Sequence, residues 1–248
     1  SSAAADAQFC ESHAVNMLVR IDLPNGEIIS ASRFRGKSIA LTKHQALAIP
    51  PGAKLRIVYT DNNGGTRAPL THFFQPTGPN GEQFLRFFNG TEVCVYTHPQ
   101  LSALPGAPQN YFLKDAEKIS GDIAIKGCGI KLGRTSVGDI GDARENEPLL
   151  NHWRSVARVR TTKITIDNYA DGGDYTNDLP TSLISEYVNS PEDCGALIVA
   201  HLEGGYKIIG MHVSGSSYPV EVDGVQMMRY ISHASFFPDY SSFAPCQS

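Results

Sequence analysis

The chain has 248 residues, 41 % hydrophobic and 19 % charged, with a formal net charge of −4. That apolar content suffices for one large core or two smaller ones, and it excludes a disordered or acidic solvating segment. The mild acidity, with a pI of about 6.0, excludes a bulk basic field for nucleic acid.

Residues 1–7 are small and polar and lack the basic and apolar regions of a signal peptide. A short helix is expected near residues 5–15. The run Asn16-Met17-Leu18-Val19-Arg20-Ile21-Asp22-Leu23 is followed by Pro24-Asn25-Gly26-Glu27 and then Ile28-Ile29-Ser30-Ala31. Asn-Gly between apolar runs predicts a hairpin. Arg33, Arg35 and Lys37 lie close together, as do Arg154, Arg158, Arg160 and Lys163. They are candidates for a local basic patch that would bind RNA, although solvated strand faces are the simpler reading. Strands are expected at 39–42 and 55–60, and Asp61-Asn62-Asn63-Gly64-Gly65 reads as a loop. Residues 84–88 and 93–96 should pair across Asn89-Gly90.

Pro99, Pro105 and Pro108 mark a linker, assigned to residues 99–120 between an N-terminal unit (1–98) and a C-terminal unit (121–248). Further strands follow at 123–125, 156–166 and 226–231, with a short helix expected within 228–243. Short strands with regular turn signals predict an all-β architecture rather than βαβ units. No apolar run approaches the ~18 residues of a membrane-spanning helix, and no membrane contact is expected.

The five cysteines fall at 10, 94, 128, 194 and 246. An odd count, wide spacing and no CxxC argue against a disulfide framework and a structural zinc site. They fit a reducing compartment such as the cytoplasm. No metal or cofactor is expected: Cys94-x-x-x-His98 has no second half, and Val93-Cys94-Val95 reads as a buried strand.

Two stretches carry chemistry. In Glu192-Asp193-Cys194-Gly195-Ala196 a cysteine sits in a tight acidic turn before the apolar run Leu197-Ile198-Val199-Ala200. Glu203-Gly204-Gly205 then turns the chain into Tyr206-Lys207-Ile208-Ile209, which ends in Gly210-Met211-His212-Val213 and brings His212 back towards Cys194. Far upstream, Ile39-Ala40-Leu41-Thr42-Lys43-His44 is a strand ending in a histidine. A thiol attacks a carbonyl as thiolate, so it needs a histidine to take its proton and a carboxylate to orient that histidine. His44 and Cys194 stand in the order this requires. Glu92, at the start of the strand Val93-Cys94-Val95-Tyr96, is the chosen acid. Asp61 is the rival, but only one strand and a turn separate it from His44, and its setting reads as an exposed turn. Cys128 in Gly127-Cys128-Gly129 lacks a following Gly-x-His. Ser214 and Ser216 lack a Gly-Asp-Ser-Gly setting.

Asp193-Cys194-Gly195 with Ile209-Gly210-Met211-His212-Val213 resembles the picornavirus-type 3C and 3C-like cysteine proteases of positive-strand RNA viruses. Thr91-Glu92-Val93-Cys94-Val95 resembles the segment with their acidic triad member. The resemblance implies two six-stranded antiparallel β-barrels of the chymotrypsin-like kind, with the active site in the cleft between them. It implies cleavage of a viral polyprotein in the host cytoplasm, after Gln or Glu and before a small residue, by a monomer or weak dimer. By the same resemblance, His212 serves the primary specificity pocket, helped by Asn189 and Gly210. The amides of Cys194, Asp193 and Glu192 form the oxyanion hole. Glu192 stands where the family usually has glycine, which keeps open an alternative: a catalytically impaired protease-fold module that binds RNA or protein. The family's Lys-Phe-Arg-Asp-Ile-type RNA-binding linker has no counterpart at 99–109. Ser1 and the final Gln247-Ser248 read equally as self-processing boundaries or as chance.

Overall fold

Apolar runs rich in β-branched and aromatic residues, cut by Gly, Pro and Asn turns, produce strands almost throughout. The structure is a computed structural model that describes residues 3–34, 38–61, 67–104, 110–113, 122–124, 126–133, 148–153, 156–169, 172–185, 193–202 and 205–238.

The first sheet holds β1 (Leu18–Asp22), β2 (Ile28–Phe34), β3 (Ser38–Thr42), β4 (Lys54–Tyr59), β5 (Leu70–Phe73), β6 (Leu85–Phe87) and β7 (Val93–Tyr96). Its order is β5-β4-β1-β2-β3-β7-β6. The second holds β8 (Asp122–Ala124), β9 (Lys126–Leu132), β10 (Pro148–Trp153), β11 (Val156–Tyr169), β12 (Gly173–Ser185), β13 (Leu197–Leu202), β14 (Gly205–Val222) and β15 (Val225–Phe236). Its order is β10-β9-β13-β14-β15-β12-β11-β8. Every pairing within the two sheets is antiparallel. The fold is all-β and chymotrypsin-like, as the resemblance implies. The described sheets count seven and eight strands rather than six each, because short edge strands such as β6 and β8 are included.

The helices are α1 (Ala3–Ser12) and α2 (Lys43–Ala48). No described helix is long and apolar enough to cross a membrane. Within the proline-rich stretch, Pro99–Ala103 forms a 3-10 turn, and Leu113 donates its N–H to the Ile208 carbonyl at 3.2 Å. The helix expected within 228–243 is absent from the described part of that range, which belongs to β15 as far as Phe236. The signal passed over is Val222-Asp223-Gly224-Val225. Asp223 and Gly224 have φ of 52° and 76°, the positive pair of a two-residue hairpin turn, and β15 pairs with β14 along its length.

Burial explains where the site lies. Alternate residues of a strand face opposite sides. Along β3, Ile39 and Leu41 pack inside the first barrel with Val19, Ile57, Cys94 and Tyr96. Ala40 on the other face, with Val93 and Val95 of β7, joins a cluster with Cys128, Ile130, Leu197, Val199 and Met211 of the second barrel. β3 and β7 are thus buried on both faces, and their ends open between the barrels.

Arg33 is fully buried and donates to the Asn16 carbonyl, at 2.8 Å from Nε. It contributes to no surface patch. Arg35, Lys37 and Arg154 lie outside the described residues, and Lys163 is exposed. Cys128 is buried with its sulfur 2.8 Å from that of Cys10 on α1, far from a nucleophile's setting.

Candidate active site

β3 ends at Thr42, whose extended backbone and hydroxyl cap α2: the Gln45 N–H donates to Thr42 Oγ1 at 3.4 Å. The cap puts His44 in the first turn of α2, where backbone N–H groups lack intrahelical partners. Glu92, just ahead of β7, satisfies them. The Lys43 N–H donates to the Glu92 carbonyl at 2.7 Å, and the His44 N–H to Glu92 Oε2 at 3.1 Å. His44 Nδ1 lies 2.8 Å from the same Oε2. Asp61, the rival acid, instead faces Arg67, with 3.5 Å between Oδ2 and Nε.

The second barrel completes the carboxylate's shell. Tyr175 donates its hydroxyl to Glu92 Oε1, and Asn177 Nδ2 donates to Oε1 at 2.8 Å and to the Thr91 carbonyl at 3.0 Å. The Glu92 N–H donates to Ser235 Oγ at 2.9 Å, and the Tyr169 hydroxyl to the His44 carbonyl at 2.7 Å. Burial opposes ionisation of Glu92, but the bonds from His44, Tyr175 and Asn177 outweigh it and hold its pKa below the ordinary carboxylate value.

The cysteine turn runs from Asp193 to Ala196. The Ala196 N–H donates to the Asp193 carbonyl at 2.9 Å, and the Gly195 N–H to the His212 carbonyl at 2.7 Å. The His212 N–H returns to the Ala196 carbonyl at 2.9 Å, which fixes His212 against the turn. Gly195 has φ of 89°, and a Cβ on it would meet the Ser30 carbonyl oxygen of β2 at 2.0 Å. Glycine is required twice over, by backbone angle and by contact with the other barrel. The Cys194 thiol donates to the Val213 carbonyl at 3.5 Å. Burial first, then the negative charges of Asp193 and Glu92, push its pKa up to about 12, while Lys131 acts the other way.

His212 is buried, with Nδ1 2.8 Å from Ser232 Oγ. Burial lowers its pKa to about 4 against the opposing pull of Asp193, and His233, His44 and Lys131 lower it further. Gly210 serves close packing: a Cβ there would meet the Ser235 carbonyl oxygen at 2.2 Å. Glu192 and Asn189 lie outside the described residues. A cavity of about 790 Å³ opens beside His44, between the turn at Asn25 and Gly26, Gln45 of α2, Lys131 of β9 and Tyr169. The described residues hold no group of three or more His, Cys, Asp or Glu suited to a metal ion.

Sequence reasoning missed Tyr175, Asn177, Ser235, Ser232 and Lys131. The i, i+2 spacing of Tyr175 and Asn177 was the available signal, since it sets both on one strand face.

No family model matches the chain. The chain is 86 % identical over its whole length to part of the RNA1 polyprotein of tomato ringspot virus (isolate raspberry), and it spans 11 % of that protein. It is 34 % identical, over 96 % of its length, to part of the RNA1 polyprotein of Blackcurrant reversion association virus, again 11 % of that protein. The grapevine fanleaf virus polyprotein matches at 30 % over 87 % of the chain, which is 8 % of the relative. The chain thus spans about a tenth of the length of these relatives. Among solved structures, an inactive form of the Rv3671c protease aligns with a TM-score of 0.47 at 12 % identity, over 96 % of this chain and 91 % of that one. An inactive mutant of the murine norovirus NS6 protease aligns with a TM-score of 0.39 at 13 % identity, over 84 % and 92 %. The chain thus corresponds to one segment of these viral RNA1 polyproteins.

Gly195→Ala is expected to lower stability by at least ~2 kcal/mol, through backbone strain and the Ser30 contact. An unchanged urea midpoint would contradict that close approach.

Proposed function

We propose that this chain is a cysteine endopeptidase that cuts a viral polyprotein after Gln, before a small residue such as Ser. The observation that carries the reading is the 2.8 Å contact between His44 Nδ1 and a Glu92 carboxylate held by both barrels. A carboxylate there favours the tautomer with the proton on Nδ1, which leaves Nε2 free to take the thiol proton. Burial and the nearby carboxylates push the thiol pKa up, which favours a neutral resting thiol over half of an ion pair.

His44 Nε2 takes the Cys194 proton as the sulfur attacks the scissile carbonyl. A C–S bond forms, and the oxyanion points to the amides of Cys194 and Asp193. The intermediate collapses with loss of the C–N bond, and His44 gives its proton to the leaving amine. Water, deprotonated by the same imidazole, then hydrolyses the thioester and returns the thiol.

His212 suits a glutamine side chain. With the Ser232 hydroxyl donating to Nδ1, the ring proton sits on Nε2, the atom that would donate to the amide oxygen. A neutral imidazole makes that bond without favouring a full negative charge.

Three outcomes test the reading. Cys194→Ala is expected to abolish cleavage of a Gln-Ser peptide; retained cleavage refutes it. Iodoacetamide alkylation of Cys194, followed by mass spectrometry, is expected to accelerate with pH up to about 9 without a plateau, since the thiolate fraction is still rising there. A plateau at neutral pH would reveal a resting ion pair. The preference for Gln over Glu is expected to stay constant from about pH 6 to 8, because His212 is neutral throughout. A preference that falls as pH drops within that window would mean a charged imidazole.

A further inference from the structure

We infer that Lys131 is a positioning residue for this reaction: paired with Asp193, it holds the nucleophile turn in the arrangement that receives the oxyanion. The inference rests on the protease reading above.

Lys131 Nζ lies 2.9 Å from Asp193 Oδ1, and the two side chains are only 14 % and 8 % exposed. Lys131 stands on β9 between Ile130 and Leu132, both fully buried. Desolvating a cation at so buried a position is costly unless it is paired. Its partner directly precedes Cys194 in the chain. Electrostatically this aspartate is badly placed, because its charge raises the thiol pKa, and Lys131 offsets part of that effect. A carboxylate that works against the thiolate is therefore present for geometry.

The geometry is specific. The backbone bonds of Gly195, Ala196 and His212 fix the turn on the C-terminal side of the sulfur. The ion pair ties it on the N-terminal side, at the residue whose peptide plane carries one of the oxyanion-hole amides. Rotation of that plane would turn the N–H away from the developing charge. β9 is itself fixed to the first barrel: Arg20 Nη1 donates to the Gly133 carbonyl at 3.2 Å, two residues beyond Lys131, and Arg20 Nε is held by Asp22 at 2.7 Å. Lys131 thus references the nucleophile turn to the barrel that supplies His44, whose cavity it also lines.

The test measures kcat and KM on a Gln-Ser peptide for wild type, Lys131→Met and the double variant Lys131→Met/Asp193→Asn. It also measures affinities for a peptide aldehyde, which forms a tetrahedral adduct with the thiol, and for the cleaved product peptide. The double variant leaves no buried unpaired charge, so it stays informative if the single variant does not fold. Loss of an oriented donor predicts a kcat lower by about 100-fold, with KM within about threefold. Aldehyde affinity is expected to fall with kcat while product affinity holds. A folded double variant with wild-type kcat would overturn the inference, as would parallel loss of aldehyde and product binding. A wild type that leaves the peptide uncut would overturn the protease reading, and this inference with it.

Discussion

Glu92 sits where the two barrels meet, and its carboxylate takes hydrogen bonds from both. The ring and the amide of His44 reach Oε2 from the first barrel; Tyr175 and Asn177 reach Oε1 from the second. A buried carboxylate without partners costs several kcal/mol, and removing part of a satisfied shell is correspondingly expensive. Here four donors fill the roughly four acceptor positions of the group. A slide of one barrel against the other by an ångström or so would strip half of them. Ionisation of Glu92 and the register of the barrels are therefore one property, and β3 and β7 enforce it by being buried on both faces.

The same saturation fixes the chemistry. A carboxylate with no vacant acceptor position has nowhere to receive a proton, and its pKa is lowered despite burial. Glu92 therefore stays ionised and holds both the ring and the amide of His44. The thiol lies at the opposite extreme. Raising it from 9.0 to about 12 costs about 4 kcal/mol against the thiolate, and burial is the largest part. His44 and Cys194 come from different barrels, and the cysteine turn touches the first barrel through Gly195 against Ser30.

How much of this is legible in the sequence depends on range. Signals within one element were readable: the Asn25-Gly26 hairpin, the strand ending at His44, and the cysteine turn with His212 returning on a hairpin. A strand start and chain order set Glu92 ahead of Asp61 as the partner of His44, and the contact is present at 2.8 Å. Tyr175 and Asn177 were not readable, because nothing local says which face of β12 meets the other barrel. Arg33 was misleading for the same reason: three nearby cations look like a surface, and only the tertiary contact with Asn16 shows one of them inside. The β15 error was local. The strand expected at 226–231 lies within β15, but Asp223-Gly224 carries a hairpin signal that extends it through Phe236, where a helix is expected.

Apolar burial alone would not align these barrels, since the hydrophobic effect is non-directional and tolerates sliding. Directional bonds remove that freedom. Arg20 reaches the Gly133 carbonyl, Asn177 the Thr91 carbonyl, and the Glu92 amide the Ser235 hydroxyl. Each crosses from one barrel to the other, and an unmade bond at such a buried position costs about 1–3 kcal/mol. Three crossings suffice to make any displaced register markedly worse than the observed one. Two of the three involve Thr91 or Glu92. The polar contacts that align the barrels are thus concentrated at Thr91 and Glu92, where an error in alignment would do most damage to the orientation of His44.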